Sequence, residues 1–190
     1  MQTDGEQTPY RGWEQLLHLG IAALGITAFL TGELAEDGPG TAGWLLHAWL
    51  GLALGTALLL RLATGLTGRR PMRFTSWSPF SRRQWRLAAA DLRALLRLQT
   101  PHRASHEGLA GLVQIFGLAL FCWLAATGTA LYLASGANVD WLEEAHEIGE
   151  GLVPAYLGLH VGAVLLHSLA GDPVWPRMFP WFARRAARSD

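Results

Sequence analysis

Apolar residues gather in four long runs along the chain, with polar positions set singly inside them and clustered between them. The runs reach roughly from Trp13 to Leu30, Trp44 to Ala63, Leu109 to Leu133 and Ile148 to Leu169. Each approaches the ~20 residues of helix that cross a bilayer. With their flanks they predict spans of about 13–32, 43–65, 108–134 and 145–170. Short links follow the first and third runs, which makes their neighbours antiparallel. The expectation is an all-α fold: a transmembrane four-helix up-down-up-down bundle, as a single membrane domain over 1–190. Such bundles commonly hold cofactors between facing helices. No internal repeat or low-complexity tract interrupts the pattern.

The link between the second and third runs carries a different periodicity. Ser81 followed by Gln84 resembles a capping box. Beyond it Arg86, Arg93 and Arg97 share one helical face, with Trp85, Ala88, Leu92 and Leu95 mostly opposite. This predicts a surface helix over about 81–98, lying on the inner leaflet with its arginines at lipid phosphates. The plainer alternative is a basic loop that only fixes topology.

Composition agrees with a membrane chain. Of 190 residues, 51% are hydrophobic and 16% charged, well under the roughly 25% charged share of soluble domains. Nine tryptophans suit helices that cross the lipid–water interface. All 15 basic residues are arginine. Nine of them, Arg69, Arg70, Arg73, Arg82, Arg83, Arg86, Arg93, Arg97 and Arg103, fall in the long link, and Arg177, Arg184, Arg185 and Arg188 in the tail. The other links hold Glu33, Glu36 and Asp37, then Asp140, Glu143 and Glu144. Basic loops stay in the cytoplasm, so both termini are expected inside and both acidic links outside. Met1 to Gln7 lack a basic start to an apolar run, so no cleavable leader is expected. Zero formal net charge gives no reason to expect a nucleic-acid partner. The one cysteine, Cys122, excludes an internal disulfide.

Histidines supply the candidate chemistry. Ionisable residues inside a membrane are rare and functional by default, although any single one can serve as a hydrogen-bonding core residue. His47 and His146 both sit near the outer ends of their runs; His18 and His160 both sit deeper, toward the inner side. His160 follows His146 by fourteen residues, about 21 Å along a helix and within about 40° of the same face. The set therefore reads as two rungs, His47 with His146 outside and His18 with His160 inside. Each rung joins two helices, as bis-histidine ligation of haem iron requires. Gly51 and Gly55 follow His47 on its face, and Gly149 follows His146. They either clear room for a flat macrocycle or simply let helices approach. Pro154 is expected to kink the fourth helix.

In these features the chain resembles the bacterial di-haem cytochrome b family, the cytochrome b561-like proteins. That group includes the b-type subunits of nickel–iron hydrogenases and the membrane subunit of formate dehydrogenase. The matching residues are Arg11, His18 and Thr31-Gly32; His47, Gly51, Arg61 and Arg73-Phe74; His106 to Gly111; Thr127-Gly128; and Glu144, His146, Glu147, His160, His167 and Met178. The resemblance implies two haem b groups on His18, His47, His146 and His160. It also implies a quinone site beside the inner haem, where a His-Asn motif commonly opens the third helix. Here the pair is His106-Glu107. Glu107 is either a proton acceptor for a quinol or a plain acid at a helix start, favoured by the dipole. His167 either bonds a quinone carbonyl or is a surface histidine at a helix end.

The expected function is electron transfer across the bacterial cytoplasmic membrane, between the quinone pool and a periplasmic redox partner. That partner would be a hydrogenase-like oxidoreductase or a c-type cytochrome facing the acidic links. Membrane lipid surrounds the chain, and a second copy of it is an admissible partner. A stand-alone oxidoreductase acting on superoxide ranks lower, because acidic links repel an anion. A non-redox scaffold or transporter is the remaining class. There is no CxxCH for covalent haem and no glycine motif for a nicotinamide.

Overall fold

The computed structural model describes residues 10–68, 72–76, 80–97, 99, 107–134, 139–171 and 175–179. Among these the chain is entirely helical. Five α-helices run in order: α1 Gly12–Leu30, α2 Ala42–Thr67, α3 Arg82–Leu96, α4 Leu109–Leu133 and α5 Asp140–Leu169. Four of them, α1, α2, α4 and α5, are long and apolar enough to cross a membrane.

Local chemistry sets the helix ends. At α1 the Glu14 carboxylate accepts from the Arg11 amide at 2.7 Å, the backward half of a capping box. Thr41 caps α2, its hydroxyl accepting from the Trp44 amide at 3.3 Å. Between them Gly38 and Gly40 take φ of 92° and 87°, a left-handed conformation that glycine adopts without a Cβ clash. Ser81 caps α3, accepting from the Gln84 amide at 3.1 Å. Gln84 itself donates its side-chain amide to the Gly108 carbonyl at 3.0 Å.

The start of α4 is capped from another helix. Asp91 of α3 accepts from the Leu109 amide at 2.9 Å. Gly108, at φ 69°, leaves room for that carboxylate, which any Cβ would strike. Helix α5 begins at Asp140, several residues before its apolar run, because Asp140 and Glu143 favour the positive end of the helix dipole. It continues unbroken through Pro154.

On α3 the docking face is Gln84, Ala88 and Asp91, all buried. Trp85, Leu92 and Leu96 are exposed, and so are Arg82, Arg86, Arg93 and Arg97. The apolar side expected from the sequence thus divides. Ala88 turns inward, whereas Trp85 and Leu92 stay outside.

The packing forms two compact units. One comprises Leu17–Arg61 and Gly117–Tyr156; the other takes in the described residues of Met1–Leu16, Leu62–Phe116 and Leu157–Asp190. Leu54, Leu58, Leu120, Leu142 and Val153 are buried in the first. Leu30, Leu59, Leu133, Leu165 and Leu169 are among many large apolar side chains left exposed on the long helices. Water would penalise so much apolar surface, whereas lipid solvates it.

Candidate haem site

The first unit holds a partly open cavity of about 510 Å³ between the C-terminal part of α1, the N-terminal part of α2, the C-terminal half of α4 and the start of α5. That volume lies in the range of cofactor sites, about 300–1,000 Å³. Both outer-rung histidines line it. The centroids of the His47 and His146 rings are 6.1 Å apart, with the planes nearly perpendicular at 87°. Two imidazoles on opposite sides of one metal are separated by about 6 Å, counting about 2 Å of bond and roughly 1 Å of half-ring on each side.

The second nitrogen of each ring is held. His47 Nδ1 lies 3.0 Å from the Ala28 carbonyl oxygen. A carbonyl only accepts, so Nδ1 donates in this contact and Nε2 is left for another partner. Ala28 sits in the last turn of α1, and its carbonyl also accepts from the Thr31 amide at 3.1 Å and the Thr31 hydroxyl at 3.0 Å. His146 Nδ1 lies 2.8 Å from the Thr127 hydroxyl. An imidazole fixed in this way through its outer nitrogen is the usual arrangement of a metal-ligating histidine.

The glycines near the histidines have separate tasks. A Cβ on Gly51 would meet nothing within 4 Å, and Gly51 lines the cavity. Gly55 approaches Ala125, at 3.5 Å from the added Cβ, and Gly149 approaches Leu124 and Trp123 at 2.9 Å. Gly51 therefore clears space in the cavity, whereas Gly55 and Gly149 serve helix contact.

Near the start of α2 Trp44 stacks on Tyr132 at 5.4 Å, and Trp49 meets the same tyrosine edge-on at 6.3 Å. Aromatic rings of this kind mark a membrane boundary. Glu33, Glu36, Glu143, Glu147 and Glu150 also line the cavity. Glu150 lies against Gly32, where any Cβ would collide with its carboxylate.

Of the sequence-predicted residues, His47 and His146 are brought together. His18 is exposed on α1 in the same unit. His160 and His167 are half-buried on α5 in the other unit. Glu107 is paired with Arg83, at 2.7 and 3.1 Å through both carboxylate oxygens, the geometry of an acid beside a helix start. His106 lies outside the described residues. Two hydrogen-bonding partners of the pair escaped the sequence reading, the Ala28 carbonyl and Thr127, and so did Glu150 in the cavity lining.

Four helices long and apolar enough to cross a membrane, and a histidine pair lining a cavity among them, suit a multi-pass membrane protein that holds a cofactor. The chain belongs to the prokaryotic cytochrome b561 family, whose model matches residues 9–181. Members bind haem b and transfer electrons within bacterial membranes. No curated protein and no solved structure matches the chain.

The outer site fits the group that the family implies. The His47 and His146 rings line one cavity 6.1 Å apart, each with Nδ1 held by an oxygen, and Gly51 leaves open space beside them.

Proposed function

We propose that the chain carries two haem b groups and passes electrons across the cytoplasmic membrane between a periplasmic redox protein and the quinone pool. The observation that carries this reading is the His47–His146 pair, facing across the cavity with both Nδ1 atoms engaged. His47 and His146 hold the outer haem. His18 and His160 hold the inner one, on the fourteen-residue recurrence along α5. Haem supplies one-electron oxidation and reduction at each level.

The chain's own residues do the remaining work. Main-chain and threonine oxygens keep the ligating tautomers, and apolar helices exclude water. The carboxylates of Glu33, Glu36 and Glu143 give the outer end a negative charge, which attracts a partner with a basic rim such as a c-type cytochrome. The same charge disfavours superoxide as substrate. At the inner end His167 stands near the last turn of α5 and would bond a quinone carbonyl. Glu107, already paired with Arg83, is better placed to steady the start of α4 than to take protons. The exposed Trp85, Leu92 and Leu96 of α3 lie on the inner leaflet, with Arg82, Arg86, Arg93 and Arg97 at lipid phosphates.

A spectrum of purified protein, dithionite-reduced minus oxidised, tests the class, and mixing with a quinol tests the route. The expected result is b-type absorption that a quinol reduces. In His167→Ala haem content should hold while reduction by quinol slows about tenfold or more, as expected for loss of one hydrogen bond to a reacting group. Absence of b-type bands rejects the reading, and an unchanged quinol rate rejects the role of His167.

A further inference from the structure

Beside His146, α4 presents Thr127 and Gly128 in succession. Thr127 Oγ1 lies 2.8 Å from His146 Nδ1. The same hydroxyl lies 2.9 Å from the Trp123 carbonyl and 3.2 Å from that of Leu124. A hydroxyl has one proton, and carbonyls only accept. The proton therefore goes to the backbone of α4, and Oγ1 accepts the N–H of His146 Nδ1. A short chain of hydrogen bonds runs from His146 Nδ1 through Thr127 to Trp123, leaving Nε2 for another partner.

Gly128 touches the same ring. A Cβ there would stand 3.1 Å from His146 Cε1 and 3.6 Å from Nδ1. A methyl group there would press on the imidazole, which would have to give by a few tenths of an ångström.

We propose that Thr127 and Gly128 are positioning residues for the outer haem. Thr127 fixes the tautomer and rotation of His146, and Gly128 fixes how near the ring lies to α4. The proposal rests on His47 and His146 being the outer ligands. The two halves of the site differ in how they can be adjusted. His47 is held by a main-chain carbonyl that no side-chain substitution removes. His146 is held by a side chain, so residue 127 tunes this half. An imidazole that donates a hydrogen bond through Nδ1 is the more basic ligand. Removing the acceptor weakens the ligand and favours the reduced state of that one site.

The test uses full-length haem-loaded protein, with electron paramagnetic resonance of the oxidised form and a redox titration followed in the visible bands. In Thr127→Val one of two low-spin signals moves. The reduced-to-oxidised ratio of one haem at fixed poise rises about tenfold, which is about 59 mV for a one-electron couple. The second haem serves as internal reference. Thr127→Ser restores both signals, because the hydroxyl returns. Gly128→Ala moves the same signal as Thr127→Val. Unchanged signals and midpoints in Thr127→Val overturn the proposal, as does a Thr127→Ser variant displaced as far as the valine. His146→Ala, measured alongside, separates the two levels. If it keeps both haems, the ligand assignment itself fails, whatever Thr127 does. If it loses one haem while Thr127→Val matches the parent, only the positioning role fails.

Discussion

An imidazole in a membrane interior is costly unless both of its nitrogens have partners. His47 and His146 each have Nδ1 engaged by oxygen, which leaves one nitrogen on each for a ligand. The glycines beside them separate two uses of small residues. Gly51→Leu puts a side chain into open cavity and is expected to lower haem content from two per chain towards one. Gly55→Ala meets only the Ala125 methyl at 3.5 Å and is expected to keep two. Haem quantitation on purified variants checks both, and equal haem content in the two would contradict the division. The histidines were legible in the sequence because each is a polar position inside an apolar run. Their partners were not. The Ala28 carbonyl has no side-chain signature. Threonines in membrane helices commonly bond their own backbone, as Thr27 and Thr31 do here, so the Thr127-Gly128 match to the family did not by itself show that Thr127 holds a histidine. Glu150 was hidden among Glu143, Glu144 and Glu147.

Among elements, α3 departs furthest from its pattern. Its arginine face was readable, and so was its Ser81 cap. Its buried face was not, because Gln84 and Asp91 look like solvent-facing residues. They are buried because Asp91 accepts from the Leu109 amide, which has no partner within its own helix, and Gln84 donates to the Gly108 carbonyl just before α4. Asp91→Ala is expected to cost about 1 kcal/mol, as for loss of a helix cap. Gly108→Ala should cost about 1–3 kcal/mol, because φ 69° is strained for alanine. Thermal unfolding in detergent measures both, and melting unchanged from the parent would remove α3 as a cap for α4. A spin label at position 92, in a Cys122→Ala background, tests the leaflet contact. It should sense lipid-soluble oxygen more than an aqueous nickel reagent, and the reverse would lift α3 off the membrane. The start of α5 was underestimated for a related reason. Its first two turns are carboxylate-rich, so hydropathy marks the span well after the helix has begun.

For the whole molecule, four spans and an all-helical chain follow from run length and hydropathy alone, since lipid admits few other solutions. Topology depends on the arginines. Alkaline phosphatase fused after Asp37 should be active, and fused after Asp190 inactive, placing the acidic link outside and the tail inside. Activity of the tail fusion would invert the bundle and exchange its inner and outer rungs.

The most direct measurement is haem per polypeptide in the parent and in His146→Ala and His160→Ala. The account predicts two haems b in the parent and one in each variant, with the two variants losing different spectral components. Two haems retained in either variant, or a parent that holds only one, contradicts it.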